Sequence, residues 1–276
     1  MSLAEAYVHC GEIARAHERD LWLAALFAPE RLRPHLCALG AFAHEVGAIA
    51  ARAREPLAGE MRLAWWREAL SGARPAETAG APVAAAMLDT IARFALPTSR
   101  VEDLLQALTF DVYDEAMASV EALEAYGIAT AGTLTALRAR VLADGQDPDV
   151  GAASDAAGAG LGLARATLDF AAGRRKPLLL PSDLLARHGV SPVEARAGQA
   201  GEGLAAALEE LAKLAAARLD AAEARLAEAP HSAAPAFAPL ATARLDLERW
   251  RRRRSAFTPA APWRRQWALW RWMQRR

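Results

Sequence analysis

Cysteine and lysine are both scarce. Cys10 and Cys37 are the only cysteines among 276 residues. They form no CxxC pair, which argues against a thiol zinc site and a disulfide framework, so buried free thiols in a reducing compartment are expected. Apolar runs of about eighteen residues are missing as well, so nothing is expected to span a membrane. The opening "MSLAEAYVHCGEIARAHERD" is charged throughout and lacks the apolar core of a signal peptide, which points to a cytoplasmic protein. No stretch alternates apolar and polar residues convincingly, which disfavours a sheet. There is no GxSxG, and neither cysteine has an obvious base beside it, so nucleophilic catalysis has no recognisable signature. Gly158, Gly160 and Gly162 follow no strand, so the dinucleotide-loop reading fails; close helix packing is the better account.

What is abundant is alanine and arginine, both good helix formers, within a composition 53% hydrophobic and 24% charged. Lys176 and Lys213 are the only lysines. "LCALGAFAHEVGAIAARA" carries Leu36, Leu39, Phe42, Val46 and Ile49 at steps of three or four, one stripe of a helix running from about Glu30 to Arg54. Further helices are expected over about 3–16, 19–27, 56–72, 82–97, 99–118, 120–143, 151–173 and 203–228, followed by a basic C-terminal pair. Ser99 with Glu102 reads as a capping box. The reading is one all-α domain over residues 1–248 and a tail over 249–276. From Arg244 to Arg276 eleven arginines stand against Asp246 and Glu248, a charge of 11 − 2 = +9, while the whole chain sums to zero.

Three features are candidates for chemistry. In "TFDVYDEAM", Asp111, Asp114 and Glu115 fall at i, i+3 and i+4, one face of a helix that suits a hard cation such as Mg²⁺. A solvated acidic face, with Glu121 and Glu124 nearby, is the alternative. In "GRRKPLLLPSDLLARHG", Arg174, Arg175 and Lys176 can hold a diphosphate, or form a plain solvated turn; His188 caps or packs. In the tail, Trp263, Trp267 and Trp270 recur at helical spacing with Arg264 and Arg265 between them. That pattern suits an anionic membrane surface or an acidic protein partner. The alternative is a terminal helix that docks its tryptophans on the domain. Nucleic acid is disfavoured, since no nucleic-acid module accompanies the basic run.

"RDLWLAALFAPERLRPHLCALGAFAHEVGAIA", "GEMRLAWWREALSG", "FDVYDEA", "LEAYGIATAGTLTAL" and "GRRKPLLLPSDLLARHG" together resemble the squalene/phytoene synthase family, from about Arg19 to Val190. The resemblance implies an isoprenoid-synthase-like helical bundle with a central cavity. Active members join prenyl diphosphates head to head using Mg²⁺ held by Asp-rich motifs on two facing helices. Where the first motif should stand, this chain has Gly47, Ala48, Ile49, Ala50 and Ala51. Where the second should stand, between about Leu163 and Gly173, only Asp169 remains. "RAT" at Arg165–Thr167 and "RRK…LP.D…HGV" are similar to a degenerate branch that includes a mitochondrial assembly factor for respiratory complex I. The resemblance therefore implies a non-catalytic protein without a cofactor. It would bind a polyprenyl or lipid ligand, or an inner-membrane protein complex, near the membrane. A Mg²⁺-dependent prenyltransferase using Asp111, Asp114, Glu115 and Asp169 is the alternative.

Overall fold

The computed structural model describes residues 1–113, 115–199, 201–253 and 256–276. Its first half contains α1 (Leu3–His17), α2 (Arg19–Ala25), α3 (Arg33–Gly47), α4 (Ile49–Arg52), α5 (Pro56–Leu70), α6 (Pro75–Gly80), α7 (Pro82–Phe94), α8 (Thr98–Ala107) and α9 (Thr109–Val112). The second half contains α10 (Val120–Gly127), α11 (Thr133–Leu142), α12 (Gly151–Ala171), α13 (Ser182–Arg187), α14 (Pro192–Ala197), α15 (Gly201–Leu226), α16 (Pro239–Arg253) and α17 (Pro262–Met273). No strand forms among the described residues; Ala116 and Leu178 make one isolated bridge. The all-α architecture expected from composition and periodicity is the one observed.

α12 is the central helix, packed against α15, α10, α11, α16 and a π-helical turn at Ile128–Gly132. Its glycines are what permit this. A Cβ on Gly158 would stand 2.7 Å from the Gly127 carbonyl oxygen and from the Gly132 backbone, and one on Gly160 would meet Leu219 at 2.9 Å. The glycine row is thus a packing row. Across the molecule α1 packs on α3 and α7. The stripe of Leu36, Leu39, Phe42, Val46 and Ile49 lies in the core as the spacing requires.

Local boundaries differ in three places. The helix expected over 30–54 is divided into a 3₁₀ turn (Glu30–Leu32), α3 and α4, with the interruption at Ala48. α8 begins at Thr98 without a side-chain cap, so Ser99 lies inside its first turn and forms no capping box. The expected helix over 99–118 ends early. After the short α9 the backbone turns extended at Tyr113 (φ −92°, ψ 126°). Met117 N–H donates to the Leu178 carbonyl (3.1 Å), and the Ser182 and Asp183 N–H groups donate to the carbonyls of Met117 (2.8 Å) and Ala118 (3.2 Å). Backbone pairing with the loop beyond α12 outweighs local helix preference here. Asp111 and Glu115 therefore share no helix face, and Asp114 lies outside the described residues.

At the C-terminus α16 runs unbroken past residues 248 and 249, where the sequence reading divides domain from tail. The connection to α17 is tied down by the Phe257 N–H to the Ala171 carbonyl (2.9 Å) and by the Ala260 N–H to Asp246 Oδ1 (3.0 Å). α17 then buries Leu269 and Trp272 against the domain.

Candidate functional site

Two cavities lie side by side. The larger, a vestibule of about 1040 Å³, opens between the end of α3, the Ala53–Pro56 turn, α9, α12 and the loop at 174–179. The smaller, about 440 Å³, is a mostly apolar chamber walled by Leu21, Val46, Leu104, Leu108, Leu134 and Leu161. His44, Gly47 and Arg165 line both, so they form the partition between them.

The vestibule is organised by one arginine. Arg165 and Asp169 stand one turn apart on α12 and face α9 across the opening. The Tyr126 hydroxyl donates to both oxygens of Asp111 (2.8 and 2.9 Å). Arg165 donates to the Tyr126 oxygen (3.1 Å), to Asp111 Oδ2 (3.4 Å) and to Asp169 Oδ2 (3.4 Å). Arg174 closes the chain with an ion pair to the other oxygen of Asp169. Gly173 makes this possible: at φ +86° it ends α12 in the left-handed region and turns Arg174 back, with the Arg174 N–H on the Asp169 carbonyl (2.9 Å). The Asp111 side chain is only 4% exposed. Burial pushes its carboxyl above the ordinary carboxylate range, against the opposing pull of Arg165 and the Tyr126 hydrogen bond.

The rim opposite is hydrocarbon and imidazole. Gly47, Ala50 and Ala51 line it, and the rings of His17 and His44 stack there at 4.1 Å with an 11° tilt. Burial, with His17 and Arg52 adding to it, lowers the pKa of His44 and favours its neutral form. Arg54, Glu55 and Lys176 complete the lining. Among the described residues no group of three or more His, Cys, Asp and Glu side chains is placed to hold a metal ion. Asp111 and Asp169, the two aspartates of the lining, accept from arginine. Engaged in this way, the two aspartates have few oxygens left for a hard cation such as Mg²⁺, which takes oxygen ligands. What the vestibule offers is fixed guanidinium groups, which suit an anion.

The chamber contains an unusual pair. Arg138 is 6% exposed, and its Nε and Nη2 have no hydrogen-bond partner. Glu18, in the same wall, supplies the opposing charge. Burial pushes Arg138 down to about 10 and pushes the Glu18 carboxyl up, Arg138 opposing the latter.

The expected site residues are only partly brought together. Asp111, Asp169, Arg174 and Lys176 line the vestibule. Arg175 does not: the chain is non-helical past Gly173, so neighbouring side chains diverge. Its guanidinium lies 3.7 Å from the Phe170 ring centroid and donates to the Phe170 carbonyl (2.5 Å). Glu115 is exposed on another groove, beside Tyr113 and Met117. In the tail, Trp263, Trp267 and Trp270 are exposed, and Arg264 lies over the Trp263 ring at 5.1 Å. Arg265 instead turns inward onto Asp20 and Asp246. Tyr126, Glu18, Arg138, His17 and His44 escaped the sequence reading, and Arg165 figured there only within "RAT". A signal for Arg165 was present, since Arg165 and Asp169 form an i, i+4 charge pair in an otherwise small and apolar stretch.

A family model described as squalene/phytoene synthase matches residues 14–271. "NADH dehydrogenase (ubiquinone) complex I, assembly factor 6" of Rattus norvegicus is 26% identical over 192 residues, 68% of this chain and 57% of that protein. Its namesake in Mus musculus is 25% identical over 189 residues, 67% and 56% of the two chains. The chain thus spans little more than half the length of these relatives. Among solved structures, squalene synthase HpnC from Alicyclobacillus acidocaldarius superimposes with a TM-score of 0.73 at 23% identity, over 92% of this chain and 97% of that one. A dehydrosqualene synthase in complex with a ligand gives 0.83 at 17% identity, over 99% and 97%. At such identities these two share the fold.

Proposed function

The chain belongs to the squalene/phytoene synthase family, and we propose that it is a non-catalytic member, an isoprenoid-synthase fold serving as a binding or assembly module. One observation carries this reading. Asp111 and Asp169 are engaged by Arg165 and Arg174, while Gly47, Ala50 and Ala51 line the facing rim. Expelling a diphosphate from an allylic carbon requires the departing anion to be neutralised, work that bridging metal ions do well. Arginines already bonded to carboxylates retain less charge for that task, yet they can still hold a phosphate oxygen. The adjoining apolar chamber suits a hydrocarbon chain. A polyprenyl or lipid molecule with an anionic head therefore matches both cavities as a bound ligand rather than a reactant.

An assembly role of the kind named for the rat and mouse relatives, directed at respiratory complex I, is the partner side of the proposal. It rests on the 26% and 25% identities over about two thirds of this chain. Pull-down from native cells, read by mass spectrometry, tests it: enrichment of complex I subunits is expected, and their absence would count against it.

Catalysis is tested by incubating the protein with farnesyl or geranylgeranyl diphosphate and Mg²⁺ and measuring pyrophosphate. Release at the background rate is expected. Release above background that disappears in Asp111→Ala would restore the prenyltransferase reading and overturn this one. The same diphosphates without Mg²⁺ should raise the melting temperature, and Arg174→Ala should shrink the rise.

A further inference from the structure

α17 has two opposed faces. Leu269 and Trp272 point into the domain, and Arg265 between them is held by Asp20 and Asp246. Arg276, just beyond the helix, lies over the Trp272 ring at 5.3 Å and pairs with Glu223 at 3.8 Å. Trp263, Trp267 and Trp270 follow one another at i, i+4 and i+7, which places them together on the far side. They are 63%, 55% and 45% exposed, and the rings of Trp267 and Trp270 stack at 4.9 Å. At 100° per residue, Arg264 and Arg271 fall along one flank of this stripe, Arg275 follows in the turn just beyond the helix, and all three are exposed. The helix, Pro262–Met273, contains no acidic residue.

We propose that α17 lies flat on an anionic lipid bilayer, with the three indole rings at the level of the headgroups and Arg264, Arg271 and Arg275 on lipid phosphates. The rings sit on the crest of a helix rather than in a groove, so they meet a soft, broad surface more readily than a protein pocket. Indole combines an apolar body with an N–H donor, the character of residues at membrane interfaces. The flanking cations complement anionic headgroups. Because α17 is already formed and clamped, docking orders no new backbone. This surface lies apart from both cavities, so the inference stands whether or not the vestibule holds a ligand.

The test is co-sedimentation of the full chain with sucrose-loaded vesicles of phosphatidylcholine, with and without phosphatidylglycerol, alongside tryptophan emission. Binding to the phosphatidylglycerol vesicles, a blue shift in emission, and weakening by added salt are expected. The triple variant Trp263→Ser, Trp267→Ser, Trp270→Ser should bind at least about tenfold more weakly while keeping its circular dichroism and melting temperature, since these rings are exposed. Arg264→Ser with Arg271→Ser should cost roughly twenty-five-fold on anionic vesicles, at roughly fivefold per arginine, and change little on pure phosphatidylcholine. Failure of the parent chain to sediment with anionic vesicles at low salt would overturn the proposal. So would undiminished binding of the tryptophan variant, or binding confined to an acidic peptide such as polyglutamate.

Discussion

In the wall of the apolar chamber, two guanidinium nitrogens of Arg138, Nε and Nη2, have no acceptor. A buried guanidinium in that state loses its hydration, and Glu18 offsets the charge without supplying the missing hydrogen bonds. Methionine has similar length and no charge, so in acid, where Glu18 carries its proton and no carboxylate is left uncompensated, Arg138→Met should be more stable than the parent by about 1–3 kcal/mol in a denaturant titration. Destabilisation instead would mean that water or a ligand satisfies Arg138. The variant also has a pH signature through Glu18, whose folded pKa is raised by burial and pulled back by Arg138. A carboxyl raised on folding adds stability that is complete below its unfolded pKa, about 4.3, and is lost as pH rises through the folded value. Removing Arg138 raises Glu18 further. The gain in the variant should therefore be largest in acid and shrink toward neutrality, as unfolding measured between about pH 4 and 8 will show.

Among the elements, the contact of α12 with α10 and the π turn depends on four glycines, Gly127, Gly132, Gly158 and Gly162, meeting backbone to backbone. Gly158→Ala would put a methyl 2.7 Å from Gly127 oxygen and from Gly132 Cα, where neither side can give way. A loss of about 2 kcal/mol or more is expected. Gly151→Ala, on the same helix but in open space, should stay within about 0.5 kcal/mol. Thermal melting of the pair separates a packing role from a general intolerance of the helix. At this scale most helices were legible in the sequence, because periodicity, proline starts and glycine stops are local signals. The segment at 115–119 was not. Its residues look helical alone, and only the backbone acceptors at Met117, Ala118 and Leu178, brought together by the loop after α12, draw it extended.

For the molecule as a whole, Arg265 links the C-terminal helix to α2 near the start of the chain and to α16, through Asp20 and Asp246. All three side chains are less than a quarter exposed, so screening by solvent is incomplete and removal leaves two carboxylates uncompensated. Arg265→Ala should lower stability by about 1–3 kcal/mol. Hydrogen exchange should quicken in α17 while α12 keeps its protection. Equal quickening in both would show that α17 unfolds only with the entire bundle, and no change would show that the clamp contributes nothing.

By itself the sequence determined an all-helical chain, the core stripe of α3, the family, and the amphipathic pattern of the last helix, because each is written in neighbouring residues or in short motifs. The candidate site was decided by tertiary structure. Asp111 and Arg165 are 54 positions apart, and no periodicity relates them. Only the packing of α10 on α12, with α9 set across the vestibule, turns a supposed acidic face into a carboxylate held by tyrosine and arginine. The same holds for Arg265, whose spacing groups it with a surface but whose partners lie on two other helices. Charges that are satisfied across the fold cannot be told, along the chain, from charges that await a ligand.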